Sequence, residues 1–399
     1  MNKLAEKLAA APERTDSYAE LRQRGRRALM QHGFPDLKTE AWKYTSLRLL
    51  EQRSFSSAAA SRSYAPALPF DVDLLHFCNG LLVVDGLQLP DGVRLERATV
   101  DDFQGIEYGG REDAFAWLNL ACLGEAWRLR IDGELDRPLA LAFTTAEDFA
   151  AAIHPRLFID LGENAQATLI ELHFGGGEGM VNAVMDVRLE QGAALRHIMR
   201  RSGGELLRVV RTRVELSCGA GYRGYVLDTG VRLGRQDLNL LLSDAGAVGE
   251  IDGTVVVDSK QHVDYHTSID HCVGHTNSRE SFRLLADGSG VGVFNGRIHI
   301  HPGADDSHSD LNTGNLLLGQ AARLNVKPEL EIHAEEVTAS HGATIGQIDD
   351  NAVFYLRSRG LPADDANTLL KYGFAAAPLE GVTDESIRDW LLAELHRHL

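Results

Sequence analysis

The stretch CGAGYRG, residues 218–224, decides the fold. It sets a small residue, Ala220, at a glycine-marked turn between two runs of alternating apolar and polar residues. The same setting recurs in ENAQATL at Ala165, QGAALRH at Ala193 and AGAVGEI at Ala247, at intervals of 28, 27 and 27 residues. Self-similarity at such a period, built of strands and turns, indicates a solenoid or array. The runs between the turns, among them RLFIDL, ATLIEL, VMDVRL, VVRTRVEL, LNLLL and GTVVV, have strand length, and long helical periodicity is missing from residues 154–356. Stacked β-rungs, a β-helix, account for both features, and a β-sandwich of the same short strands is the competing arrangement. GSGVGVF at Gly290 and QAARLNV at Ala322 read as later copies of the turn after longer gaps.

Outside the repeat the texture is helical. TDSYAELRQRGRRALMQHGFP has an Asp16/Ser17 cap, apolar residues at Tyr18, Leu21, Ala28 and Leu29, and a stop at Gly33-Phe34-Pro35. A Ser/Ala-rich linker, SFSSAAASRSYAPALP (54–69), follows. In the tail, SRGLPADDANTLLKYGF puts Pro362 in a first turn, Asp364 and Asp365 at the positive helix end, and Ala366, Leu369 and Leu370 on one stripe. VTDESIRDWLLAELHRH begins at a Thr383/Asp384 cap and buries Ile387, Trp390, Leu391 and Leu395. These two amphipathic helices either cap the open end of the solenoid or dock a partner. The division is an N-terminal helical region (1–80), a mixed connecting segment (81–153), a β-helix core (154–356) and a C-terminal helical domain (357–399).

Composition narrows the function classes. With 40 Lys plus Arg against 57 Asp plus Glu, the net charge is −17, which argues against nucleic acid or an anionic membrane as partner. The N-terminus is too charged for a signal peptide, no apolar run reaches membrane-spanning length, and four scattered cysteines form no CxxC. The expected location is the cytoplasm.

Histidine is unevenly placed: nine of 16 lie between residues 262 and 341. His262 and His266, like His271 and His275, are four apart, a chelating distance on a helix. On a strand the same spacing is about 13 Å, too long for one ion. His299 and His301 in RIHIHPG share a strand face and suit a metal, but no third ligand is identifiable from the sequence; hydrogen-bonded ladders are the alternative. No GxSxG or HExxH occurs, FGGGEG at 174–179 lacks the Lys-Ser/Thr of a phosphate loop, and Cys272 points away from its neighbour His271 on a strand. In ASHGATIGQ, His341 lies between Ser340 and Gly342, as at an exposed turn, with Glu335 and Glu336 nearby to orient or supplement it. It is either a turn histidine satisfied by hydrogen bonds or half of a site completed by another subunit.

The stretch FNGRIHIHPGADDSHSDLNTGNLLLGQAARLNVKPELEIHAEEVTASHGATIGQIDDNAVFYLRSRGL, with TEAWKYTSL (39–47) and HVDYHTSIDHCVGHTNSRES before it, resembles the SufD family of iron–sulfur cluster assembly subunits. The resemblance covers nearly the whole chain. It implies a mainly β protein, a right-handed parallel β-helix core flanked by N-terminal and C-terminal helical regions, with no enzyme activity of its own. It implies pairing with a SufB-like paralogue through the β-helix, or a homodimer in isolation. It also implies docking of a SufC-like ATPase on the C-terminal helices, at Leu361, Leu369, Leu370, Tyr372 and Phe374. By motif position His341 matches the histidine implicated as ligand to a nascent Fe–S cluster at the interface. The cluster would be transient and no cofactor permanent, with reduced flavin as a further participant in the complex. Some relatives carry a cysteine two positions before this histidine; here Ala339 stands there, so the sulfur ligands fall to the partner. The rival from another class is a stand-alone β-solenoid enzyme using the histidine-rich strands.

Overall fold

The computed structural model describes residues 2–9, 14–56 and 61–399; residues 57–60 of the Ser/Ala-rich linker lie outside them. The repeat is a β-solenoid of about eight turns. Each coil contributes one strand to each of two parallel ladders. The front ladder stacks Ala126–Ile131, Arg156–Leu161, Met180–Leu189, the second halves of Ala194–Leu216 and Gly221–Leu242, then His262–His271, Val291–Ile300 and Arg323–Ile332. The back ladder stacks Asp73–Cys78, Leu139–Thr145, Gln166–Gly175, the first halves of the same two long strands, then Val248–Val257, Asn277–Ala286, Ser307–Leu317 and Val337–Gly346. Both ladders therefore begin before residue 154.

The turn that reveals the coil has a simple stereochemical basis. Gly192, Gly219 and Gly246 adopt φ of 69°, 63° and 77°, a left-handed conformation that glycine enters without a Cβ clash. The residue after each, Ala193, Ala220 or Ala247, is fully buried inside the coil. Asn164 fills the left-handed position before Ala165. The register continues this column to Thr276, Ser307 and Val337, at intervals of 29, 31 and 30 residues. The expected copies at Gly290 and Ala322 instead pair with each other's coil at the opposite corner, where front-ladder strands begin. The true copies escape a search for Gly-Ala because His275 and Asp306 hold the left-handed position, at φ 58° and 56°. The small apolar residue also becomes hydroxylic there, with Thr276 Oγ1 and Ser307 Oγ 3.0 Å apart.

Helices cover the outer faces of the ladders. Ala19–His32 and Ala114–Ala121 pack with Trp42 on the front ladder at Phe158, Met180, Leu207, Val209 and Leu233. The motif TEAWKYTSL is the wedge. Trp42 stacks on Phe115 at 5.2 Å, Arg235 sits 4.5 Å over its ring, and Thr45 Oγ1 lies 2.9 Å from His262 Nε2. The N-terminal cap differs in detail: Ala19–His32 starts after Tyr18, whose N–H donates to Asp16 Oδ1. The tail helices Ala363–Ala376 and Glu385–His396, with Leu379 in the turn between them, bury Ala375, Ile387, Trp390, Leu391 and Leu395 against the back ladder at Ile170, Ile198, Leu227, Val256 and Leu285. They lie along the side of the solenoid and do not cap its end.

The lumen has a large apolar cluster but also holds buried ionisable groups, among them Glu171, Arg201, His271 and Glu280. Glu280 is fully buried, and burial pushes its carboxyl from the ordinary 4.5 up to about 8. The folded chain thus keeps a proton that the unfolded chain releases above about pH 4.3. Between those values stability falls as pH rises, by up to about 1.4 kcal/mol per pH unit. Glu280→Gln, which is neutral throughout, should melt higher than the natural chain at pH 8 and show little gain at pH 5. Equal gains at both pH values in thermal melts would mean that Glu280 is ionised in the fold.

Candidate functional site

The last coil ends in two edge strands. Arg323–Ile332 pairs on one side with Val291–Ile300, and Val337–Gly346 on one side with Ser307–Leu317. Their far edges carry unpaired backbone groups, a ready template for another chain. His341 lies in the middle of Val337–Gly346, not at a turn as its Ser and Gly neighbours suggest. Its register column runs Leu169, His197, Gly224, Ile251, Glu280, Leu311, His341. Every earlier member of that column faces the lumen, and Leu311 directly beneath is fully buried. Val337 and Ala339, which share the parity of His341, pack against the solenoid core. His341 therefore holds an inward-facing position in a coil with nothing stacked on it, and it is exposed.

Among the described residues His341 has no hydrogen-bonding or ionic partner, and its imidazole is available to a ligand from outside. Its neighbour Ser340 donates its hydroxyl to Asp310. Glu335 and Glu336 sit at the turn between the two edge strands, where the backbone N–H of Glu335 donates to Asp305 Oδ1 at 3.0 Å. Neither carboxylate is bonded to His341.

The other histidines scatter by strand parity. His271 is a lumen residue, with Nδ1 2.7 Å from Thr276 Oγ1 and Nε2 2.9 Å from Ser278 Oγ, and burial lowers it to about 4. His275 is the left-handed turn residue noted above. His266 lies against Asp264 at 3.1 Å. Cys272 faces outward, opposite to His271, and burial pushes its thiol up. His299 and His301 do share the outer front face, and the structure brings to them a third group that the sequence did not reveal, Asp270. His299 Nδ1 and His301 Nε2 lie 3.0 and 3.2 Å from the same oxygen, Asp270 Oδ1.

On the tail, Leu369 is half exposed, while Leu361, Leu370, Tyr372 and Phe374 are partly buried. Tyr372 packs edge-on to His396, and Phe374 lies under Arg283. The helix Asp350–Ser358 adds two aromatic residues that sequence reading passed over, Phe354 and Tyr355, which are 72 % and 57 % exposed.

Residues 142–374 match the family model described as SUF system FeS cluster assembly, SufBD core domain, which takes in both ladders' last coils and His341. The chain belongs to the SufBD family. It is 30% identical over 384 residues to the iron-sulfur cluster assembly protein SufD of Escherichia coli, covering 93% of this chain and 90% of that protein. A SufBD family protein of Synechocystis is 28% identical, with 89% and 85% covered, and the chloroplastic protein ABCI7 of Arabidopsis thaliana is 23% identical, with 97% and 87% covered. SufBD membership makes iron–sulfur cluster assembly the process this chain serves. Among its described residues no helix is long and apolar enough to cross a membrane.

Proposed function

We propose that this SufBD member is a non-catalytic scaffold subunit that pairs with a SufB-like paralogue and contributes His341 as a ligand to a nascent cluster at their interface. The observation that carries this reading is the position of His341: a lumen-facing site in an uncapped coil, with no partner of its own. A second solenoid that continued either ladder would satisfy the edge strands, cover Val337 and Ala339, and enclose His341 in the new interior. One imidazole cannot hold a cluster, and Ala339 adds no thiolate, so the remaining ligands, thiolates above all, belong to the partner.

The helix Asp350–Ser358 and the tail helix Ala363–Ala376, which pack on each other, are the natural dock for the SufC-like ATPase, through the exposed apolar residues Phe354, Tyr355 and Leu369. Burying three such side chains contributes several kcal/mol. The two contacts are separable by co-expression with both partners and affinity purification. The natural chain should bring down both. The double variant Phe354→Asp/Leu369→Asp should lose the ATPase and keep the SufB-like subunit. Retention of the ATPase would place its dock elsewhere, and failure of the natural chain to bind a SufB-like partner would overturn the pairing.

A further inference from the structure

We infer that the outer front face of the last three coils holds a second, separate site, which binds a divalent first-row transition-metal ion through His299, His301 and Asp270, with Glu331 and His333 adjoining. The solenoid builds this site by register. Asp270, His299 and Glu331 occupy one column on successive strands. His301 and His333 follow His299 and Glu331 by two residues, on the same outward face. The ligand atoms of Asp270, His299 and His301 all lie within 4.8 Å of one another, as do those of His299, Glu331 and His333, so His299 is common to two triads.

The distances fit coordination. In a tetrahedral site with bonds of about 2.0–2.1 Å, ligand atoms stand roughly 3.3 Å apart. The two imidazole nitrogens lie 3.0 and 3.2 Å from Asp270 Oδ1, and the rings are packed with centroids 3.8 Å apart. The oxygens not aimed at imidazole are held from behind. Ser268 Oγ donates to Asp270 Oδ2 at 3.0 Å, and Arg297 donates to Glu331 Oε2 at 2.9 Å, leaving Glu331 Oε1 3.1 Å from His333 Nε2. Such supports fix the orientation of metal-binding carboxylates.

Imidazole with carboxylate, without thiolate, selects iron(II), cobalt(II) or zinc(II) over magnesium or calcium. Asp270, His299 and His301 are only partly buried, which suits an ion that enters and leaves. His341 takes no part, because it faces the lumen side of the other ladder. That the ion in the cell is iron bound for a cluster rests on the function proposed above; that a metal binds here does not.

The test is an anaerobic titration of the metal-stripped full chain with cobalt(II), read by its visible ligand-field absorption, with iron(II) and zinc(II) as competitors. The expected result is saturable binding displaced by either competitor. His299→Gln/His301→Gln should weaken it at least about tenfold, with an unchanged far-ultraviolet circular dichroism spectrum and melting midpoint. His341→Ala should bind cobalt like the natural chain, whatever it does to cluster assembly. Absence of the absorption, binding unaffected by His299→Gln/His301→Gln, or binding lost in His341→Ala would each overturn the site.

Discussion

His341→Ala should leave the chain folded and paired with its partners, yet reduce cluster formation in vivo to the level seen when the subunit is deleted. Stability changes little because the side chain is exposed and has no partner within the chain, so truncation falls in the range of about 0.5 kcal/mol typical of surface sites. Under the proposed role function changes a great deal, because no other ligand stands beside His341 on its strand: the adjacent inward positions are Ala339 and Ala343, neither of which can coordinate iron. The measurement is complementation of a strain lacking the subunit, with copurification and melting midpoint recorded on the same variant. His341→Cys, which restores a ligand, should recover part of the activity. Full complementation by His341→Ala would end the ligand assignment, and loss of copurification would move its role from coordination to pairing.

The same residue shows how far the sequence could be read. Ala165, Ala193, Ala220 and Ala247 exposed the coil because glycine or asparagine before a small residue is a local signal, readable without knowing what lies above or below. The signal faded where local chemistry changed while geometry persisted, at His275-Thr276 and Asp306-Ser307, whose left-handed φ is imposed by the stack. Had those two turns been recognised, counting in twos from Val337 would have put His341 on an inward face. Instead its Ser and Gly neighbours pointed to a turn. Asp270 and Glu331 were hidden for a related reason. They lie 29 and 32 residues on either side of His299, and only the register, which needs every corner located, makes them neighbours. The side of the solenoid on which the tail helices lie was not legible either. Their apolar stripes specify burial, but the choice between the end and the flank is made by the outward residues of distant strands, such as Ile170, Leu227 and Leu285.

Glu171→Ala should be the most destabilising single change in the lumen, costing about 3–5 kcal/mol. Glu171 is fully buried, and its Oε1 accepts from Arg201 at 2.6 Å and lies 2.7 Å from His173 Nε2. His197 Nε2 stands 3.1 Å from Oε2 without hydrogen-bond alignment. Burial alone would raise the carboxyl; Arg201 and then His173 overcome it and hold the group well below its ordinary value. A carboxyl so lowered stabilises the fold above its unfolded value near pH 4.3, and that contribution is lost only as acid protonates it in the fold. Removing it at neutral pH strands the Arg201 guanidinium, itself almost fully buried, with one long contact to Tyr265 Oη at 3.4 Å as its remaining side-chain partner. The cost comes from that orphaned charge more than from the lost pair. Glu171→Leu/Arg201→Leu, which removes both charges, should therefore recover most of the stability lost in Glu171→Ala when the variants are compared by urea unfolding. A double variant as unstable as the single one would show that the ion pair contributes net stability to the lumen. Since His341 lies several coils away, complementation by either variant should follow the amount of folded protein and nothing else.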